Sequence, residues 1–300
     1  MPSAGWAIEF RQLTGFTTDV IGVESPAWSP DGSRLAFGCI YWGPIYQLTG
    51  SVRIVRVVDG ASEVFLSGDR ACGYSASPTW SPSGEQIVFV CREPCWERCW
   101  SDGPVVLGSV TELGIVQLTA VGSDRPSWSP DGTLVAVERG DGIVLLPVNG
   151  GAQRYVTYGA DRSPTWSPDG NSIAFSSNRN GHWDIWIVPA AGGIPQPLTD
   201  DAAVDSNPSW SPDGTLISFD SDRSGNSDVW VVRVANRALS QVTTDPSWDV
   251  DPEWSPDGSR IAFVSGRSGA ANLWVASDLR TVDVTPATWT QVKSNYRGAR

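Results

Sequence analysis

Six near-copies of one short motif, a Trp followed by Ser-Pro-Asp-Gly, constrain this chain more than any other feature. They are SPAWSPDG (Ser25 to Gly32), SPTWSPSG (Ser77 to Gly84), RPSWSPDG (Arg125 to Gly132), SPTWSPDG (Ser163 to Gly170), NPSWSPDG (Asn207 to Gly214) and DPEWSPDG (Asp251 to Gly258). Their tryptophans are Trp28, Trp80, Trp128, Trp166, Trp210 and Trp254, spaced by 52, 48, 38, 44 and 44 residues. A period of that order belongs to an array of supersecondary units, not to two or three unrelated domains. The repeat runs from about residue 24 to residue 285, so residues 1–300 read as a single domain. Its units start near residues 25, 77, 125, 163, 207 and 251.

The fifth copy shows what one unit contains. Pro208 to Trp210 is a short extended piece, and Ser211-Pro212-Asp213-Gly214 is a turn in which Pro pre-sets the backbone and Gly takes positive φ. Leu216 to Ser221 alternates as a strand does, Asp222 to Ser227 is a second turn, and Asp228 to Val232 and Ser240 to Thr243 supply two more strands. Four short antiparallel strands, repeated six times, predict an all-β fold: a six-bladed β-propeller of four-stranded blades. One blade cannot bury both its faces, but a closed ring of blades can. The motif Trp then packs between neighbouring blades, and Ser-Pro-Asp-Gly turns the chain out of the innermost strand.

The repeated pattern P-x-W-S-P-D-G-x-x-I-A-F-x-S-x-R-x-G-x-x-D-I-W, followed by x-L-T, resembles the PD40 repeat of TolB-like propellers. It is best kept in Pro164 to Thr199, Pro208 to Thr243 and Pro252 to Thr285. The resemblance covers nearly the whole chain and implies the propeller fold. It implies less about function, because propellers of this kind serve as scaffolds, receptors and enzyme accessories. TolB carries an N-terminal α/β domain and related peptidases an α/β-hydrolase domain; this sequence resembles the propeller alone. Either end could close the ring: Ile8 to Thr14, whose Gln-Leu-Thr matches other fourth strands, or Val282 to Thr285. The N-terminal stretch is the favoured one.

Charge narrows the partners. A net charge of −12, with 21 basic residues scattered among 33 acidic ones, excludes the basic patches that nucleic acid and anionic membranes require. No apolar run reaches the ~20 residues of a spanning helix, and the first residues do not read as a signal peptide. Localisation is left open. The family resemblance and the clustered cysteines point to a periplasmic or extracellular setting.

Several groups of residues invite a chemical reading. Arg179 with Asp184, and Arg223 with Asp228, read as ion pairs across a hairpin turn, since they recur in different blades. A catalytic triad or a His-based zinc site is disfavoured by a single histidine, His182, beside Trp183 in a blade-four turn. No catalytic residue, metal ligand or cofactor is assigned. Cys72, Cys91, Cys95 and Cys99 read as a disulfide-stapled loop if the chain is exported, and as free thiols otherwise. Their spacing is not that of a zinc ribbon.

A short polar residue precedes each Trp by four or five places: Glu24, Ser75, Asp124, Asp161, Asp205 and Asp249, with Asp251 beside the last. They are expected to ring the mouth of the central channel, where they could bind a cation or basic peptide, or else each cap its own loop. The enlarged turns Ile40 to Ser51 and Arg92 to Pro104 carry Tyr41, Trp42, Tyr46, Trp96 and Trp100, which suit partner contact or mutual packing. The expectation for function is a non-catalytic propeller binding a protein or peptide, basic where it meets the carboxylates, through its loop-bearing face and channel mouth. The alternative is an accessory to a carbohydrate-active or peptide-processing enzyme whose catalysis lies on another chain.

Overall fold

The alternation of apolar and polar residues in each unit becomes a four-stranded antiparallel sheet, six times over. A computed structural model describes residues 8–17, 20–42, 48–67, 74–92, 103–110, 115–119 and 123–279. Strand β1 (Glu9–Gln12) precedes the first blade, which is β2 (Val20–Trp28), β3 (Arg34–Trp42), β4 (Leu48–Arg56) and β5 (Ser62–Ser67). Blade two is β6 (Tyr74–Trp80), β7 (Gln86–Arg92), β8 (Val105–Ser109) and β9 (Ile115–Gln117). Blade three is β10 (Asp124–Trp128), β11 (Leu134–Arg139), β12 (Gly142–Pro147) and β13 (Arg154–Tyr155). Blade four is β14 (Asp161–Trp166), β15 (Ser172–Ser177), β16 (Asp184–Pro189) and β17 (Gln196–Pro197). Blade five is β18 (Asp205–Trp210), β19 (Leu216–Ser221), β20 (Asp228–Arg233) and β21 (Leu239–Gln241). Blade six is β22 (Asp249–Trp254), β23 (Arg260–Ser265) and β24 (Asn272–Ser277), completed by β1.

The motif strands β2, β6, β10, β14, β18 and β22 are innermost, and each touches the next around the ring, β22 returning to β2. Apolar side chains from adjacent blades mesh into clusters. Trp166, for example, packs with Ala136, Ile143 and Leu145 of blade three as well as with Phe175 and Trp186 of its own. Five motif tryptophans are buried and Trp210 is partly buried, which is the inter-blade role expected of them.

The N-terminal strand closes the ring. β1 pairs with β24 from Glu9↔Ser277 to Gln12↔Trp274. Past it, Leu13 N–H donates to the Leu273 carbonyl at 2.8 Å, and the Thr14 hydroxyl accepts the Leu273 N–H at 3.0 Å. Thr119, Thr157, Thr199 and Thr243 accept the corresponding N–H in blades two to five. Thr14 therefore fills the fourth-strand place that its Gln-Leu-Thr sequence announced; Val282 to Thr285 lie outside the described residues.

Each inner strand carries a β-bulge just before its motif proline. The six residues there, Ser25, Ser77, Arg125, Ser163, Asn207 and Asp251, all have positive φ, between 45° and 53°. That conformation is uncommon for residues with a side chain. It resets the pleat, so that the two variable positions around the proline both face the propeller axis.

Candidate functional site

The central channel is built from two layers contributed by those variable positions. The upper layer is Ser25, Ser77, Arg125, Ser163, Asn207 and Asp251, which surround a cavity of about 120 Å³. Beneath it lie Ala27, Thr79, Ser127, Thr165, Ser209 and Glu253, which border a second cavity of about 220 Å³ reaching toward the Ser-Pro-Asp-Gly turns.

Arg125 spans the upper layer. Its Nη1 donates to Asn207 Oδ1 at 2.7 Å, and lies 3.4 Å from Asp251 Oδ1 on the far side of the ring. Desolvation alone would lower its pKa, but Asp251, Asp124, Glu138 and Glu24 together raise it above the ordinary value. The carboxylates interlock with the positive-φ backbone. Asp251 Oδ2 accepts the Ser25 N–H, Asp220 Oδ1 accepts the Asp251 N–H, and Glu138 Oε2 accepts the Ser163 N–H. Asn207 Nδ2 also donates to Asp220 at 2.9 Å. Burial, with Asp251 adding repulsion, pushes the Asp220 carboxyl up to about 7. Burial, with Asp124 opposite it in the strand register, likewise raises Glu138.

The expected ring of carboxylates is therefore partly wrong in membership. Glu24 and Asp124 precede the bulge by one residue, face Gly38 and Glu138 across the strands, and belong to the group around Arg125. Asp251 lines the channel itself. Asp161, Asp205 and Asp249 precede the bulge by two residues and face Ser177, Ser221 and Ser265. One residue of register sends a side chain to the opposite face of a sheet. These three are buried within their blades, and each is held by an arginine from the following hairpin turn. Arg179 Nη2 reaches both oxygens of Asp161 at 2.7 Å, Arg223 grips Asp205 at 2.6 and 2.7 Å, and Arg267 reaches Asp249 at 2.5 Å.

Those contacts also correct the expected turn pairs. Arg179 and Arg223 bond the inner strand, not Asp184 and Asp228, which instead accept from Asn180 and Ser224 and from the Thr199 and Thr243 hydroxyls. Each guanidinium lies over two aromatic rings, as Arg223 lies over Phe219 and Trp230 at 5.3 and 5.1 Å. The arginine of the repeat is a core element.

The loop-bearing face is assembled from longer pieces than the sequence suggested. In blade one, Ile40 to Trp42 and Leu48 to Ser51 extend the hairpin as paired strands, because the run of large apolar residues continues the ladder. Tyr41 packs beside Phe16 and Val20 against the core, so it is not a free contact residue. Trp42 pairs with Leu48 in the backbone, and its side chain, like Ser75's and all of Tyr46, Trp96 and Trp100, lies outside the described residues. His182 is exposed. Trp183 is half-buried under the Arg162 guanidinium at 4.6 Å, and Arg162 lies 3.8 Å from Glu138, joining Trp183 to the channel rim. Tyr158, stacked on Tyr155 at 4.9 Å, and Trp248 add exposed aromatic surface that the repeat pattern did not single out.

Cys91 is disulfide-bonded to a partner outside the described residues, and Cys39 is a free, buried thiol. Cys72, Cys95 and Cys99 lie outside them too. Among the described residues no group of three or more His, Cys, Asp or Glu could hold a metal ion, and no helix is long and apolar enough to cross a membrane.

Arg125, Asn207, Asp220, Glu138 and Glu253 escaped the sequence reading. The signal was present for three of them: in X-P-X-W, both X positions vary while everything around them repeats.

Residues 115–237 match the TolB β-propeller domain family, PD40. An uncharacterised peptidase, YuxL, of Bacillus subtilis is 29% identical over 134 residues, covering 42% of this chain and 19% of the relative. Among solved structures, TolB from Acinetobacter baumannii superposes with a TM-score of 0.65 at 19% identity, over 78% of this chain and 57% of that one. The oligogalacturonate lyase of Vibrio parahaemolyticus gives 0.59 at 10% identity, over 93% and 99%. The chain thus spans about a fifth of the peptidase (19%) and just over half of the TolB chain (57%). Residues 115–237 thus carry the PD40 repeat, and the ring of six closed blades has the β-propeller fold seen in TolB.

Proposed function

We propose that the chain is a recognition module that holds a protein or peptide at the loop-bearing mouth of its channel, with catalysis residing elsewhere. The observation carrying this reading is where the blades differ. The turn-bearing face repeats one motif, whereas Arg125, Asn207 and Asp251 break the serine pattern on the axis, beside the Glu24, Asp124 and Glu138 carboxylates. A narrow acidic mouth focuses negative potential, so the partner segment presents Lys or Arg. Trp183, Tyr158 and Trp248 offer flat apolar contacts at the rim. Asp161, Asp205 and Asp249, buried in their ion pairs, serve the blades rather than the partner. An oxidising compartment suits the disulfide at Cys91.

The alternative, an accessory propeller of a peptide-processing enzyme with the catalytic part on another chain or segment, draws support from the match to part of a peptidase. Both readings are tested by capturing partners with the immobilised chain and comparing wild type with an Asp124→Asn/Asp251→Asn variant. The expected result is a captured polypeptide whose binding weakens in that variant and with added salt, since exposed charges are screened beyond ~10 Å at 0.1 M. Undiminished capture by the variant, with loss on altering the turn-bearing face, contradicts the proposal. Co-purification of a hydrolase that alone carries the activity favours the accessory reading.

A further inference from the structure

The lower cavity lies at the other end of the channel and has a character of its own. Five blades place a small neutral residue in its layer, Ala27, Thr79, Ser127, Thr165 and Ser209, and the sixth places Glu253. Glu253 borders both cavities. Burial pushes its carboxyl up to about 7, offset only in part by a hydrogen bond from Ser209, and no basic group contributes. Ser209 Oγ already accepts the Trp254 N–H, so its own proton is free for the carboxylate. A carboxylate so placed is costly unless a cation compensates it.

We propose that this cavity binds a primary ammonium group, with Glu253 as the counter-charge. An ammonium carries three diverging N–H donors, which suit a carboxylate on one side and the Thr79, Ser127 and Thr165 hydroxyls on the others. A guanidinium is a flat fork and matches a ring of single acceptors poorly. Calcium or magnesium needs six or more oxygen ligands, and zinc favours Cys and His, whereas Glu253 is the single carboxylate in the layer and the lining holds no Cys or His. Beyond the layer Ser81 and Ser129 alternate with tryptophans and prolines, among them Trp128 and Trp166, whose faces give the methylenes of an alkylamine apolar contact. The proposal concerns the far end of the channel and does not depend on a partner at the loop-bearing mouth.

Isothermal titration at constant ionic strength tests it, with n-butylamine as a free amine and Nα-acetyl-lysine methylamide as a polypeptide side chain. At pH 8, wild type should bind at least one of the two saturably. Binding of butylamine alone identifies a free amine as the ligand class, and binding of both identifies a lysine side chain as well. At pH 6 the affinity should fall about tenfold, because Glu253 must first lose a proton. Glu253→Gln should bind at least tenfold more weakly at pH 8, and so should Glu253→Thr, which copies blades two and four should the glutamine variant misfold. Glu63→Gln, an exposed change of equal charge on the outer strand of blade one, should leave binding unaltered. No saturable binding of either amine to wild type overturns the proposal. So does equal binding by the Glu253 variants, or equal loss in Glu63→Gln.

Discussion

At the scale of single residues, the most consequential contacts are ion pairs that water barely reaches. Asp205 is 0% exposed and its partner Arg223 is 8% exposed in the side chain. Arg223→Ala would leave that carboxylate buried without its counter-charge, a change that costs ~3–5 kcal/mol in comparable sites. Urea melts of the variant should show it, and a loss below ~1 kcal/mol would mean the pair is a bystander. Asp220 predicts a dependence on pH of a different sign. Its folded-state pKa of about 7 lies above the ordinary 3.8, so between those values the folded chain holds a proton that the unfolded chain has released. Stability from this site is complete below pH 3.8 and is lost as pH rises through about 7. Asp220→Asn keeps an oxygen for the Asp251 and Asn207 donors and should flatten the decline between about pH 4 and pH 7. A variant with the wild-type decline contradicts the assignment. The carboxylates also show what a repeat pattern conceals. Asp in front of Trp was legible, but the bulge was not. Only the pairing of Glu24 with Gly38, against that of Asp161 with Ser177, reveals two opposite faces.

At the scale of the element, the motif turn is a small hydrogen-bond knot. In five blades the Ser hydroxyl donates to the Asp at 2.6 Å, and the Asp accepts the N–H two residues on at 3.0 to 3.1 Å. The same Ser oxygen accepts the N–H five residues on, at 2.9 to 3.0 Å, which starts the next strand. These bonds hold the Asp31, Asp169 and Asp257 carboxyls down at about 2, with the Ser hydroxyl the largest cause in each. A lowered pKa contributes stability that is present above pH 3.8 and is lost as pH falls toward 2, so these turns should contribute less to stability as pH falls across that window. Blade two has Ser83 in place of the Asp, and its hydroxyl makes longer bonds of 3.1 and 3.3 Å. Ser83→Asp should therefore raise the melting temperature at pH 7 and not at pH 2. An unchanged melt at pH 7 would show that the knot adds nothing. Much of this was legible beforehand, because Ser, Pro, Asp and Gly each have one local use in a turn. The arginine of the next hairpin was misread for the opposite reason. Its partner sits 18 residues back, on a strand that sequence proximity does not nominate.

At the scale of the whole molecule, the ring depends on β1. Deleting residues 1–14 removes the outer strand of blade six together with Leu13 and Thr14, and strips the edge of β24 of its partner. The deletion should broaden the denaturant transition and lower its midpoint, with blade six losing amide protection first. A transition as sharp and as late as that of wild type would show that another segment closes the ring. Trp166→Ala, which opens a cavity between blades three and four, should cost ~3–5 kcal/mol without broadening the transition. Closure also sets an order of events during synthesis. β1 is made 268 residues before Ser277, the residue that faces Glu9. The first strand must stay unpaired, and unclaimed by any other sheet, until the last blade exists to receive it. In that interval β24 of a neighbouring nascent chain offers an identical edge. Crowded production should therefore yield exchanged dimers, each ring sealed by the other's leading strand.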